Sequence, residues 1–142
     1  MRYNVYLIFA NVNSGFFKWM ARDKNLKHLE AIISDGQQTY TVCSKGATLS
    51  IRTLSTPALD FVERLLRLDK ITMVVGICVE SLRYQAVNPF LLLGNTCNEQ
   101  IKRACGINLP LTTTVANFYK KLKRYDNKRN YKIFMEQKTY ES

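Results

Sequence analysis

A cysteine that opens a predicted helix and the only histidine of the chain are the residues best suited to chemistry. Cys97 lies in Thr96-Cys97-Asn98-Glu99, which matches the capping box S/T-x-x-E, so we expect Thr96 to cap a helix whose first residue is Cys97. The first turn of a helix carries unpaired backbone N–H groups and about half a positive charge, which favour a thiolate and can hold an oxyanion. Gly106 follows the last turn, where a left-handed helix end is typical. The pattern predicts that Cys97 is a nucleophile, which then needs a base within hydrogen-bond reach.

His28 is the candidate base, and a predicted hairpin has to orient it. His28 begins a strand-like run that ends at a turn signal, Asp35-Gly36, and a second strand-like run follows. Counting across this turn, we expect Tyr40 to lie opposite His28, with Gln38 as the other candidate on the same face. An imidazole needs such a group to fix its tautomer and its orientation. Neither Tyr40 nor Gln38 is a carboxylate, so the predicted orienting group is weaker than an Asp.

A structural interpretation of the same residues stays open at this point. Cys97, Ile101, Ala104 and Cys105 recur at helical spacing, so Cys97 also fits the core-facing side of an amphipathic helix. A lone histidine is more often a structural residue than a catalytic one. The spacing alone therefore allows both a catalytic and a purely structural Cys–His pair.

The elements that have to position these residues alternate between strands and helices. The order β-α-β-β-α-β-α-α-β indicates an α+β domain with a small antiparallel or mixed sheet packed against the Cys-bearing helix. The length of 142 residues fits a single domain, 1–142, that ends in a basic segment at about 120–142. The predicted strands are 3–10, 28–33, 39–43, 71–79 and 131–135, and the predicted helices are 16–22, 57–68, 97–105 and one that starts at 112–114 and continues to 122.

The charge of the chain favours acidic surroundings. The formal net charge is +10, which suits nucleic acid, an anionic membrane or an acidic protein, and equally suits simple solubility. Basic residues and tyrosines alternate between 120 and 132, a pattern that could contact phosphates and stack on bases. The candidates for nucleic-acid contact are Lys120, Lys121, Lys123, Arg124, Lys128 and Arg129. We favour the alternative that this segment is the solvated face of a terminal helix and the loop after it.

The cysteines predict free thiols and no bound metal or other cofactor. None of the four forms a C-x-x-C pair, the spacing typical of metal sites, and Cys43 and Cys78 each lie inside an apolar strand-like run. Free thiols indicate a reducing compartment. No apolar run approaches the ~20 residues of a membrane span, so we expect no transmembrane segment. No small-residue cleavage site closes the short apolar run near the N-terminus, so we expect no signal peptide.

The segment 94–107, Gly-Asn-Thr-Cys-Asn-Glu-Gln-Ile-Lys-Arg-Ala-Cys-Gly-Ile, resembles the cysteine motif of permuted NlpC/P60-like proteins of the small bacteriophage type. The run 112–119 is similar to the helix that follows in that family, with Thr114 in place of a proline, and the segment from Phe17 to Asp35-Gly36 is similar to the one around its histidine. The resemblance implies a permuted papain-like fold in which Cys97 is the nucleophile and His28 the base. The third polar residue of the family has no single counterpart here, because Tyr40, Gln38 and Thr41 are all possible.

The resemblance also implies a function and a setting. It implies a cysteine peptidase or amidase type of hydrolase, or an acyltransferase, that acts on an amide or ester bond. It further implies phage virion proteins as partners and a location in the virion or the cytoplasm of the bacterial host. The alternative is a non-enzymatic virion or scaffold protein that keeps the fold, with nucleic-acid contact through its basic end.

Overall fold

A computed structural model describes residues 2–11, 26, 28–45, 48–80, 97–112 and 114–139. These residues contain six strands and three helices. The strands are β1 (Tyr3–Ala10), β2 (His28–Ser34), β3 (Thr39–Lys45), β4 (Thr48–Leu54), β5 (Ile71–Val79) and β6 (Tyr131–Lys138), and the helices are α1 (Ala58–Leu66), α2 (Cys97–Ala104) and α3 (Val115–Arg124). The predicted helix 16–22 lies outside the described residues, as does the capping residue Thr96.

The six strands form one antiparallel sheet in the order β4-β3-β2-β1-β5-β6. This confirms the predicted α+β class. The sequence allowed an antiparallel or a mixed sheet, and the sheet is antiparallel. The sequence did not predict β4, which is a polar edge strand recruited by its pairing with β3. The bounds of β1 and β5 agree with the predicted ones, because both are continuous apolar runs of strand length.

The central strand β1 is buried on both faces, and its alternating side chains divide the core in two. Val5, Leu7 and Phe9 belong to a large cluster that also contains residues of α2 and α3. The side chains between them, such as Tyr6 and Ile8, belong to a smaller cluster that contains residues of α1. Because side chains alternate along a strand, this places α2 and α3 on one face of the sheet and α1 on the other.

The helices α1 and α3 begin close to the predicted positions. Thr114 caps α3, and its hydroxyl accepts a hydrogen bond of 3.0 Å from the backbone N–H of Asn117. The predicted apolar stripe of α3 is buried at Val115, Phe118 and Leu122. Helix α1 starts one residue later than predicted, with Pro57 at the cap position and no side-chain cap.

The helix α2 ends in a Schellman motif at Gly106. The N–H of Gly106 bonds the carbonyl of Arg103 at 3.0 Å, and the N–H of Ile107 bonds that of Lys102 at 2.9 Å. Gly106 has φ +64°, a left-handed conformation that glycine adopts without steric cost. The predicted helix end is confirmed, and it turns the chain back across the sheet towards α3.

A bulge between β5 and β6 depends on Gly76. The register shifts between Gly76 and Ile77, and the ring of Phe134 lies over the glycine. The same ring meets Tyr6 edge-on, with ring centroids 5.8 Å apart. Among the described residues, no helix is long and apolar enough to span a bilayer.

Candidate active site

His28 is the first residue of β2, where the strand meets the end of the sheet. It lies opposite Ala10 of β1 and is only 6% exposed. Its neighbours along β2, Leu29 and Ala31, point into the large core cluster, so the apolar strand fixes the backbone on which His28 is held.

Cys97 is the first residue of α2, as predicted, and the helix brings it to His28. Helix α2 packs on β2 and β3. The Cys97 side chain forms a hydrogen bond with the His28 imidazole. The thiol is partly exposed, so a reactant has access to it. The structure therefore brings together the two residues that the sequence singled out, although their chemical roles stay predictions.

The pKa of His28 reflects its buried position and its two hydrogen-bonding neighbours, Cys97 and Glu30. Burial on its own lowers the pKa of the imidazole. Hydrogen bonds to Cys97 and Glu30, with the charges of both groups, outweigh burial and raise this pKa from 6.5 to about 9. His28 therefore carries a positive charge beside the Cys97 sulfur at neutral pH.

The third member of the cluster is Glu30, which the sequence pattern did not predict. Its Oε1 lies 3.3 Å from His28 Nε2. The hydrogen bond from His28 lowers the pKa of Glu30 against the opposing effect of burial, and a hydrogen bond from Cys43 adds to the lowering. The available signal was the spacing, since residues i and i+2 of a strand lie on the same face. Glu30 is a carboxylate, so the orienting group is stronger than the one expected.

The predicted pairing of Tyr40 with His28 is wrong. Tyr40 lies opposite Ile33, which is about 16 Å along the strand from His28. Gln38 precedes β3, and its side chain accepts a hydrogen bond from the Tyr40 hydroxyl. Both residues lie at the turn end of the hairpin, away from the cysteine.

The turn explains this register. Asp35 Oδ1 accepts hydrogen bonds from the backbone N–H groups of Gln37 and Gln38, at 2.8 and 2.7 Å, and closes a tight turn. Ser34 of β2 pairs with Thr39 of β3, and each residue earlier in β2 pairs with one residue later in β3. His28 lies six residues before Ser34, so the corresponding residue of β3 is Lys45.

A second cysteine joins the cluster from β3. The Cys43 thiol donates a hydrogen bond of 3.2 Å to Glu30 Oε1. Cys43 and Glu30 also border a cleft of about 180 Å³ on the side of the sheet that faces α1, lined further by Thr41, Ser50 and Arg52. The sequence placed Cys43 only inside a strand, and its contact with Glu30 follows from the hairpin register. None of the four cysteines forms a disulfide bond in the structure.

A buried ionic network holds the helix that carries Cys97. Glu99 is 2% exposed, and its carboxylate accepts hydrogen bonds of 2.6 and 2.7 Å from the backbone N–H and the hydroxyl of Thr112. The ammonium group of Lys102 lies 2.6 Å from the same carboxylate and also donates to the carbonyls of Leu109 and Pro110. These contacts fasten α2 to the loop that leads to α3.

The basic C-terminal segment takes the form of the end of α3, a turn and β6. Lys121 donates to the carbonyl of Leu111 at 2.5 Å, and Lys123 pairs with Glu136. The guanidinium of Arg129 lies 5.0 Å from the ring centre of Tyr125. The other three candidates for nucleic-acid contact are exposed, and they are Lys120, Arg124 and Lys128.

The tyrosines between these cations are used within the fold. Tyr131 is 3% exposed, and its hydroxyl donates to the carbonyl of Leu122 at 2.7 Å. The hydroxyl of Tyr119 donates to Glu136, and Arg129 covers a face of Tyr125. Base stacking on an alternating row of tyrosines therefore does not fit this geometry, whereas phosphate contact by the exposed cations stays a prediction.

Comparison of the chain with protein-family models, with curated proteins and with solved structures finds no match.

Proposed function

We propose that this protein is a cysteine hydrolase or acyltransferase that cleaves an amide or ester bond through Cys97 and His28, with Glu30 as the positioning residue. The hydrogen bond between Cys97 and His28 carries the proposal. A nucleophile, a base and a group that orients the base are the parts such catalysis requires. The order of His28 on a strand before Cys97 at a helix start agrees with the layout of the permuted NlpC/P60-like proteins that the sequence resembles.

The geometry supports a two-step acyl transfer. The Cys97 sulfur attacks the carbonyl carbon, and the electron pair moves to the carbonyl oxygen. In this mechanism the N–H groups of the first turn of α2 stabilise that oxyanion. The imidazolium of His28 then gives its proton to the departing amine or alcohol as the tetrahedral intermediate collapses to a thioester. Water or another acceptor attacks the thioester, His28 takes up its proton, and the thiolate leaves.

Glu30 acts through His28 and not on the substrate. Its carboxylate accepts a hydrogen bond from Nε2 and so fixes the orientation of the imidazole that bonds the Cys97 side chain. A carboxylate in this place also stabilises the imidazolium that is present before and after the acyl transfer. A phage origin, virion partners and a location in the virion or host cytoplasm stay predictions of the resemblance, because no feature of this site bears on them.

The test is a pre-steady-state burst with a p-nitrophenyl ester in the presence of a chelator. We expect one acyl group per protein, which mass spectrometry of peptides locates on Cys97. The burst is lost in Cys97→Ser. In His28→Ala its rate falls by about 10²-fold or more, as expected for loss of a general acid–base group. Cys78→Ser is the matched control, because Cys78 is also partly exposed and lies on β5.

Glu30→Gln tests whether Glu30 orients the His28 ring, separately from any effect of Glu30 on folding. Glutamine keeps the size of the side chain and an acceptor oxygen but removes its charge, so we expect a slower burst with the same acylated residue. Acylation of Cys78 or Cys43 at the rate of Cys97 would refute the proposed nucleophile. A folded protein that shows no burst with any ester or amide would favour the non-enzymatic alternative.

A further inference from the structure

We propose that Cys43, His28 and Glu30 form a binding site for a thiophilic divalent cation, with Zn²⁺ as the best fit. One ligand atom from each residue lies within 4.8 Å of the other two. Thiolate, imidazole and carboxylate are the three ligand types that zinc takes in proteins. The site differs from the metal motifs sought in the sequence because its ligands come from two strands and not from a C-x-x-C loop.

The distances between the ligand atoms suit a tetrahedral ion. For ordinary zinc bond lengths, the tetrahedral angle separates a nitrogen and an oxygen ligand by about 3.4 Å and a sulfur and an oxygen ligand by about 3.6 Å. The distance from His28 Nε2 to Glu30 Oε1 is 3.3 Å, and that from Cys43 Sγ to Glu30 Oε1 is 3.2 Å. The third pair, the Cys43 sulfur and the His28 nitrogen, lies within 4.8 Å, against about 3.6 Å around a tetrahedral ion. An ion therefore needs side-chain movements of up to about 1.2 Å between these two ligands, while the strands stay in place.

The backbone holds these ligands on rigid elements. His28 and Glu30 are two residues apart on β2, so both side chains start from the same face of one strand. The register pairs Ala31 with Val42, and one further step along it brings Glu30 beside Cys43 of β3. Sites built on paired strands keep their geometry better than sites on loops.

The cleft supplies a route in and room for a fourth ligand. Glu30 and Cys43 line it, and the side chain of Glu30 is 46% exposed. Thr41 and Ser50, two further residues of its wall, offer hydroxyl groups to a metal-bound water. Three protein ligands and one open position are characteristic of zinc sites that exchange their fourth ligand. We therefore assign water, and not Cys97, to the fourth position.

A metal at this site would switch off the cysteine chemistry, a consequence that rests on the proposed function. Binding releases the protons of His28 Nε2 and of the Cys43 thiol to solvent, and the ion takes an electron pair from that nitrogen, from the sulfur and from one oxygen of Glu30. The remaining nitrogen, Nδ1, then holds its proton and donates it to Cys97, so His28 no longer cycles between acid and base.

Titration with Co²⁺ tests the site, because a thiolate bound to Co²⁺ gives a charge-transfer band in the near ultraviolet. The experiment uses the full chain in four forms: the natural protein, Cys43→Ser, Cys97→Ser and Cys78→Ser. We expect the natural protein, Cys97→Ser and Cys78→Ser to give this band and the visible bands of tetrahedral Co²⁺, and Zn²⁺ to displace the cobalt. In Cys43→Ser the charge-transfer band disappears and the affinity falls by at least about tenfold.

The variants distinguish this inference from the proposed catalysis. Cys97→Ser has no nucleophile and yet is expected to bind the metal, so a failed burst assay does not affect the result. An unchanged band in Cys43→Ser, with far-ultraviolet circular dichroism that shows a folded protein, would overturn the inference. Loss of the band in Cys97→Ser alone would also overturn it, because Cys97 would then be the thiolate ligand.

Discussion

Substitution of Glu99 by glutamine tests whether the buried ionic network holds the helix of the candidate nucleophile in place. Glutamine has the shape of glutamate, and its carbonyl oxygen can still accept the hydrogen bond from Thr112. The substitution therefore removes mainly the negative charge. Lys102, which is 5% exposed, is then left with a buried ammonium group that has lost its counter-ion.

The expected cost follows from burial. Removing one partner of a buried ion pair destabilises a protein by about 3–5 kcal/mol, because the remaining charge stays desolvated. Since glutamine keeps one acceptor for Thr112, and Lys102 keeps the carbonyls of Leu109 and Pro110, we expect about 3 kcal/mol, at the lower end of that range. A surface ion pair of the same type contributes about 0–1 kcal/mol.

The chain provides a matched control for this comparison. Glu136 pairs with Lys123, and their side chains are 20% and 47% exposed, so Glu136→Gln makes the same chemical change where water still reaches the remaining ammonium group. Urea denaturation, followed by circular dichroism, gives the free energy of unfolding of each variant. We expect Glu99→Gln to cost several times as much as Glu136→Gln. The double variant Glu99→Gln/Lys102→Met should recover part of the loss, because it removes the unpaired charge.

Equal costs for Glu99→Gln and Glu136→Gln would refute the reasoning. So would a double variant whose loss is the sum of two single losses, because the two side chains would then act independently. If the network also positions Cys97, the ester burst of Glu99→Gln slows under conditions in which the variant is fully folded.

Two further predictions concern packing and thiol accessibility. A Cβ at Gly76 would stand 2.8 Å from Phe134 Cζ, and the Phe134 ring can be displaced because it is 48% exposed. Gly76→Ala should therefore lower the free energy of unfolding by about 1 kcal/mol, and by less in a Phe134→Ala background. Equal losses in the two backgrounds would contradict this close contact. Complete burial raises the pKa of Cys105 from 9.0 to about 12. The contribution of the buried, protonated thiol to the stability of the fold is therefore fully present below pH 9.0 and is lost as the pH rises towards 12. Iodoacetamide should therefore modify Cys105 at neutral pH only after unfolding, as peptide mass spectrometry can show, and modification of the folded protein would argue against the burial.

The hairpin shows where local signals stopped being sufficient. The turn at Asp35-Gly36 was evident from the residue types, and the two strands formed as expected. The pairing of individual residues depended on where the turn closes, and Tyr40 turned out to lie opposite Ile33 and not His28. A register error of this kind moves a side chain several positions along the strand, so it changed the predicted third residue completely.

The sequence by itself determined the local structure: the central strands β1 and β5, the capped start of α3, the glycine that ends α2 and the position of Cys97 as the first residue of that helix. These features depend on hydrophobic periodicity and on capping residues, which act within a few positions along the chain. Only the tertiary structure decided that Glu30 and Cys43 join His28 and that Glu99 is buried with Lys102. Those contacts join residues on different strands, or a helix and a loop, and strand register and packing set them while local propensity does not.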